Sequence, residues 1–240
     1  MASSFISMKK NKPVRNVSRL VDAGGPKVIF KSPDLLVIDK PADLVSDGTA
    51  MFVWLKKEDA ALAKLERHGL VHRLDRDTSG LMLIARTREA QRKLKEAFKE
   101  REIKKTYIAL LDGILEPEEG IIRMPIHRHR KGKKMVVTGT KGRESETQYK
   151  VKKYLGDKYT FLEAYPKTGR THQIRVHFSA IRFPVVGDKL YGGPAAGLSR
   201  QFLHATKIRI PKKLNLKTRG IISWSSPMAD DLKKFLNEAR

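Results

Sequence analysis

One junction in the chain limits its fold more than any other. The nine-residue segment His72-Arg73-Leu74-Asp75-Arg76-Asp77-Thr78-Ser79-Gly80 runs straight into the apolar stretch Leu81-Met82-Leu83-Ile84-Ala85. Five apolar residues without polar alternation read as a buried strand. The segment before it then lies at the mouth of that strand, with Asp75 set between Arg73 and Arg76. Fixed positive charge favours the ionised form of a carboxylate, and an ionised carboxylate can act as a nucleophile. The plainer reading is a loop aspartate that caps its own turn with Thr78 and Ser79. For an aspartate taken alone the plainer reading is the commoner, so this motif does not decide the matter by itself.

The elements around the junction follow from pattern. Val28-Ile29-Phe30 and Leu35 to Asp39 read as two short strands joined at Ser32-Pro33-Asp34. Residues 51–68 read as a helix with Leu55, Leu62 and Leu65 on one face. Thr87 is placed to cap a helix reaching about Ile103, with Ala90, Leu94, Ala97 and Phe98 inward. Thr106 to Leu111 reads as a strand, and Gly156-Asp157 as the turn of a hairpin between 147–155 and 158–165. Thr171 is placed to cap a short helix carrying Ile174, Phe178 and Ile181. A strand over 202–210 and a helix starting at Ser226-Pro227, with Leu232, Phe235 and Leu236 inward, complete the chain. Strands come in hairpins as well as beside helices. The expected class is therefore α+β with a mixed, largely antiparallel sheet.

Charge points to the partner. The 240 residues hold 50 Lys and Arg against 26 Asp and Glu, a formal net charge of +24. A folded protein this basic repels itself, and a polyanion that sheds condensed counterions on binding is the usual compensation. Nucleic acid leads over an anionic membrane, since no apolar run reaches spanning length. With no cysteine, disulfides, thiolate zinc sites and cysteine nucleophiles are excluded. The composition fits a reducing cytoplasm. Residues 1–26 read as a flexible basic arm ending in Gly24-Gly25-Pro26, without the apolar core of a secretory signal. Residues 27–240 read as one domain.

Three further patches carry chemistry. In Lys167-Thr168-Gly169-Arg170-Thr171-His172-Gln173-Ile174-Arg175-Val176-His177 a helix start gathers donors suited to an anion, namely Arg170, Thr171, His172, Gln173 and Arg175. A solvated basic helix is the alternative. Tyr107, in Lys105-Thr106-Tyr107, is either a core aromatic with its hydroxyl at an edge or a stacking platform for a base drawn out of its helix. The run from Arg123 to Lys134 contains Arg128, Arg130 and Lys131 beside His127 and His129 and no acid, which suits phosphate better than metal. The stretch from Lys189 to Met228 also lacks acids and accumulates Arg200, Lys207, Arg209, Lys212, Lys213, Lys217 and Arg219. Two such regions suggest a long electropositive face. No phosphate-loop lysine, dinucleotide glycine pattern or helical metal-ligand pair is present.

His72 to Gly80 resembles the signature of the RluA-type RNA pseudouridine synthases. Asp39-Lys40-Pro41-Ala42, Lys105-Thr106-Tyr107, Gly169 to His177, Gly187 to Gly192 and Leu203-His204-Ala205 resemble further patches of that family, in order over roughly residues 28 to 210. The resemblance implies the family fold, a bent mixed sheet flanked by helices. It implies isomerisation of uridine to pseudouridine in structured ribosomal or transfer RNA, with neither cofactor nor metal, by a cytoplasmic protein expected to be a monomer. It makes Asp75 the catalytic aspartate and Arg175 its partner. It makes Tyr107 a base-stacking residue with a possible part in proton transfer, and Arg73 a wedge into the gap left by the flipped uridine. His72, Arg76 and Thr78 from the same motif are expected near RNA, with Arg128, Arg130, Lys131, Arg170, Thr171, His172 and Gln173. Two departures stand out. Asp43 occupies the place of a family glycine, and Ser46-Asp47 replaces a His-Pro element. Many relatives also carry a separate N-terminal RNA-binding module; residues 1–26 are too short for one, so RNA affinity is expected from the domain, its basic loop and the arm. The competing function is a non-catalytic RNA-binding or ribosome-assembly protein on the same scaffold, and a weaker one is a base-releasing glycosylase.

Overall fold

The computed structural model describes residues 25–129, 132, 134–137 and 142–239. All of the expected arm but Gly25 and Pro26 lies outside the described residues, as do Arg130 and Lys131. In chain order the elements are β1 (Lys27–Lys31), β2 (Leu35–Lys40), α1 (Thr49–Glu58), β3 (Ser79–Ala85), α2 (Arg88–Lys99) and β4 (Lys104–Asp112). There follow β5 (Glu119–Arg123), β6 (Ile126–Arg128), β7 (Met135–Val137), β8 (Glu146–Leu155), β9 (Tyr159–Pro166) and α3 (Gln173–Ala180). The last are β10 (Leu203–Arg209), β11 (Ser223–Ser225) and α4 (Asp230–Glu238). One sheet runs β1-β2-β3-β10-β4-β9-β8-β5, with β11 added beside β10, and β6 and β7 form a separate ribbon. Among the described residues only the contact of β10 with β3 is parallel. The fold is α+β with a mixed, mostly antiparallel sheet, as the hairpin-rich pattern implied.

The unbroken apolar run has a physical cause in this topology. Both faces of β2 and β3 are covered. Leu35, Val37, Leu81, Leu83 and Ala85 pack with Ala90, Leu94 and Ala97 of α2 on one face. Leu36, Ile38, Met82 and Ile84 pack with Met51 and Leu55 of α1 on the other. A strand buried on both sides has no polar alternation, and each aliphatic side chain taken from water contributes about 1.5–3 kcal/mol. A third cluster joins β4, β8 and β9 to Phe178 of α3 and Leu232 of α4.

Several boundaries differ from the sequence reading. Residues 51–68 are not one helix. α1 stops at Glu58, where the Asp59 carboxylate accepts from Ala61 N–H and from Arg86, and two 3₁₀ segments follow, with Arg67 and His68 in left-handed backbone. Thr87 does cap α2 by accepting from Ala90 N–H, but the helix ends at Lys99. There Arg101, at φ 60°, turns the chain so that Glu102 N–H reaches the Ala97 carbonyl. The last helix starts at Asp230, not at Ser226-Pro227. Ser226 is buried, and its hydroxyl donates to Asp39 instead. Thr171 does not cap α3: His172 occupies the cap in left-handed backbone, and its side chain makes no capping bond.

Thr78-Ser79-Gly80 is not the turn either. The turn is Asp75 to Thr78, closed by Thr78 N–H to the Asp75 carbonyl at 3.2 Å. Ser79 and Gly80 already belong to β3, where they pair with His204 and Ala205 of β10. Gly80 has φ 114°, and a side-chain carbon there would fall 2.3 Å from the Ala205 carbonyl oxygen. No L side chain fits such a contact without moving β10 away. Gly80→Ala is therefore expected to lose about 2 kcal/mol or more of stability, from strain and clash together. A urea-unfolding midpoint unchanged from the parent would contradict this account of the β3–β10 junction.

Candidate active site

The loop around Asp75 is tied down by two distant segments, one holding Lys40 and Ser46 and the other Arg200 and Gln201. Ser46 both donates to the Leu74 carbonyl at 2.7 Å and accepts from Leu74 N–H at 3.0 Å. Lys40, with none of its surface exposed, donates from Nζ to the carbonyls of Arg76, Leu44 and Pro41 at 2.7–2.9 Å. Arg200 donates to the Asp77 carbonyl at 3.1 Å while gripping Asp231 of α4 with two bonds at 2.7 and 2.8 Å. Gln201 donates to the Thr78 hydroxyl. The Ser46 that departs from the family pattern thus makes two of these bonds. Asp43, standing where the family has glycine, adopts the left-handed φ of 59° that a glycine would favour.

The side chain of Asp75 faces α3. Arg175 Nη1 lies 3.1 Å from Asp75 Oδ2, and the same guanidinium meets Asp188 through Nε at 2.6 Å and Nη2 at 2.9 Å. Arg175 is buried. Desolvation works against its charge, but Asp188 and then Asp75 outweigh it and raise its pKa above the ordinary arginine value. The two acids are unequally served. Asp188 also accepts from Leu190 and Tyr191 N–H, whereas Asp75 Oδ1 has only His172 Nε2 at 3.9 Å. One oxygen of Asp75 therefore remains open toward the cleft.

His172 is oriented by Tyr191. The Tyr191 hydroxyl accepts from Met135 N–H at 2.9 Å and lies 2.9 Å from His172 Nδ1. The bond at Nδ1 fixes the ring and turns Nε2 toward Asp75 Oδ1, 3.9 Å away. Burial lowers the His172 pKa against the opposing pull of Asp75, and burial pushes the Tyr191 phenol up to about 12. The Arg175 guanidinium sits 5.1 Å over the Tyr191 ring. Burial, then the charge of Asp75, also raises the Tyr107 pKa, so that hydroxyl is neutral and a donor at ordinary pH.

These groups line a cleft of about 560 Å³ whose wall includes Arg73, Asp75, Tyr107, Thr171, His172 and Arg175. Among the expected site residues, Arg73 is exposed with Asp47 at 3.6 Å. His72, Thr78 and Gln173 border the cleft, but the fold uses their polar atoms. His72 Nε2 accepts from Leu83 N–H while its ring stacks on Phe98, and burial pushes it down to about 3, a neutral imidazole. Gln173 is buried and bonds Thr168, Arg170 N–H, the Glu146 carbonyl and Thr147. It fastens the Lys167–Thr171 loop to β8 and has no donor left for a phosphate. Arg76 and Arg128 are exposed outside the cleft lining. Arg200 is no part of an exposed basic face, being 6% exposed and paired. No group of three His, Asp or Glu suited to a metal occurs among the described residues.

Sequence reasoning gave Lys40, Ser46, Asp188, Tyr191 and Lys105 no role. Lys105 donates to the Thr168 carbonyl at 3.1 Å, and burial lowers it to about 8. Four of the five lie inside patches quoted above; what they contact depends on chain crossings that a motif does not encode.

Residues 34–180 match the RNA pseudouridylate synthase family model. The chain is 36% identical over 234 residues to ribosomal large subunit pseudouridine synthase D of Xanthomonas campestris pv. campestris, an alignment covering 89% of this chain and 69% of that protein. It is 36% identical over 231 residues to the protein of the same name from Nitrosomonas europaea, covering 89% and 65%. The chain thus spans about two thirds of the length of these relatives. Among solved structures it resembles human RNA pseudouridylate synthase domain containing 1, with a TM-score of 0.68 at 28% identity over 90% of this chain and 94% of that one.

Burial pushes Lys40 down to about 7, against the opposing pull of Asp77. Its folded-state value therefore lies below its unfolded one, and the folded protein binds this proton less readily. That unfavourable contribution is full below about pH 7 and disappears as the unfolded group also loses its proton above pH 10. Lys40→Met leaves three carbonyls without a donor and is expected to be less stable at every pH. The gap to the parent should widen between those limits; urea unfolding across the range giving a constant gap would contradict it.

Proposed function

Since the chain belongs to the RNA pseudouridylate synthase family and isomerises uridine in RNA, we propose that Asp75 is its catalytic group and large-subunit ribosomal RNA its substrate. One observation carries the first assignment. Asp75 is the acid that combines a fixed loop, a buried arginine at 3.1 Å and an open oxygen in the cleft. The names of the relatives support the choice of RNA; transfer RNA is the alternative that product mapping resolves.

The reaction balances without an added oxidant or reductant. The bond from N1 to the anomeric carbon breaks, the bond from C5 to that carbon forms, and the hydrogen of C5 is made up at N1. The protein has to extract the uridine, hold the loosened base and serve the charge that develops. Extraction costs a few kcal/mol, offset by stacking and phosphate contacts. Arg73, exposed at the cleft edge, enters the vacated stack. Tyr107 lies under the base, and its neutral hydroxyl offers a hydrogen bond. Arg175 pairs with Asp75 and aims it. Asp75 acts on the sugar, on the base or through an elimination, and the open oxygen serves each. Residues 27–240 work as one catalytic domain, a cytoplasmic monomer, with the arm and the basic segment around Arg128, Arg130 and Lys131 adding RNA affinity.

Asp75→Asn is nearly the same size and uncharged. It is expected to abolish pseudouridine formation in unmodified large-subunit RNA, by a factor of at least about 10³, while RNA affinity stays within about threefold. Normal modification by Asp75→Asn would remove the assignment. Absence of modification by the parent protein itself would favour the non-catalytic RNA-binding reading, and free uracil among the products would favour a glycosylase.

A further inference from the structure

Three arginines gather on the cleft rim away from the Asp75–Arg175 pair, and neither the fold nor the chemistry above uses their charges. Arg101 follows α2, Arg143 precedes β8, and Arg170 lies in the loop before α3; all three line the cleft. Among the described residues none has a carboxylate within 4.0 Å, although Arg123 close by is paired with Glu146 at 2.8 Å. Arg170 Nε is held by the Glu144 carbonyl at 3.1 Å. Burial, then the like charges of Arg143 and Arg101, lower the Arg170 pKa against the weaker opposing pull of Glu144, so the three guanidiniums feel one another. Like charges assembled with no carboxylate in contact destabilise the free protein, and an arriving anion reduces that cost.

The backbone at Arg101 adds a second observation. Arg101 N–H bonds the Phe98 carbonyl and Glu102 N–H bonds the Ala97 carbonyl, the pattern that closes a helix on a left-handed residue. That residue is usually glycine; here it is arginine at φ 60°. The same closure recurs at Arg182 after α3, with φ 69°, but Arg182 does not line the cleft. The two positions share a backbone and differ in what they face.

We propose that Arg101, Arg143 and Arg170 form a phosphodiester-binding site, taking a backbone phosphate of the RNA strand beside the reacting uridine. Guanidinium forks match phosphate oxygens in pairs and keep their charge at any working pH. The site therefore adds affinity and sets the strand's direction across the cleft without reading a base. This inference rests on RNA being the substrate, though not on Asp75 being catalytic.

The paired variants Arg101→Gly and Arg182→Gly test it in the full-length protein. Glycine relieves the left-handed strain in both, so both should melt at or above the parent temperature. Arg101→Gly should bind a short RNA hairpin with uridines in its loop about fivefold more weakly near physiological salt. The slope of log affinity against log salt should fall by about one contact. Arg182→Gly should keep the parent affinity and slope. Arg101→Gln, which keeps the strain and loses the charge, should match Arg101→Gly in binding. Unchanged affinity and slope in Arg101→Gly would overturn the site, as would an equal loss in Arg182→Gly, which would assign the effect to overall charge. Pseudouridine formation by the parent protein, assayed on unmodified large-subunit RNA, separates this failure from failure of the functional reading.

Discussion

The structure depends on one buried guanidinium. Arg175 is clamped by Asp188, whose side chain is wholly buried, and reaches Asp75 with the nitrogen that remains. Removing one partner of such a pair leaves an uncompensated buried charge, a loss of about 3–5 kcal/mol. The arrangement is asymmetric in a way that matters. Asp188 has its oxygens filled by Arg175 and two backbone N–H groups, so it serves as an anchor. Asp75 receives one bond and keeps an oxygen free, so it serves the cleft. A charged group can be held rigidly and still be available to substrate only when two acids divide those tasks.

The loop that carries Asp75 is held with similar economy. Ser46 and Lys40 from one stretch of the chain and Arg200 and Gln201 from another fix Leu74, Arg76, Asp77 and Thr78 in turn. Arg200 passes the constraint on to the last helix through Asp231. Pre-organisation of this kind lowers the reorganisation needed when charge develops in the reaction. On the rim of the same cleft Arg101, Arg143 and Arg170 have no carboxylate within 4.0 Å among the described residues, which leaves their charge for a phosphate.

Much of this was legible in the sequence, for physical reasons. The buried run Leu81 to Ala85, the hairpin at Gly156-Asp157 and the Thr87 cap depend on local patterning, which a sequence displays directly. The gathering of Asp75, Arg175, His172 and Tyr107 in one cleft was implied by the family resemblance rather than by local pattern. Long-range competition was not legible. Ser226-Pro227 has the composition of a helix start, yet Asp39, far away in the chain, takes the serine hydroxyl. Leu55, Leu62 and Leu65 keep helical spacing, yet Asp59 finds Ala61 and Arg86 and ends the helix. Gln173 looks like a free donor until the fold supplies its partners, and Thr78 is used by the fold as an acceptor from Gln201. Lys40 and Asp188 carry no local sign of their tasks, since both act on backbone or side chains contributed by distant segments.

The central claim is that Asp188, Arg175 and Asp75 act as one unit. A double-mutant cycle on the single-turnover rate of pseudouridine formation tests it most directly, using Asp188→Asn, Arg175→Lys and the double variant, each in excess over the RNA. The account predicts that each single change slows the reaction and that the double variant is scarcely slower than the worse single, since either change already releases Asp75. Losses that multiply in the double variant, or a normal rate in Asp188→Asn, would contradict it.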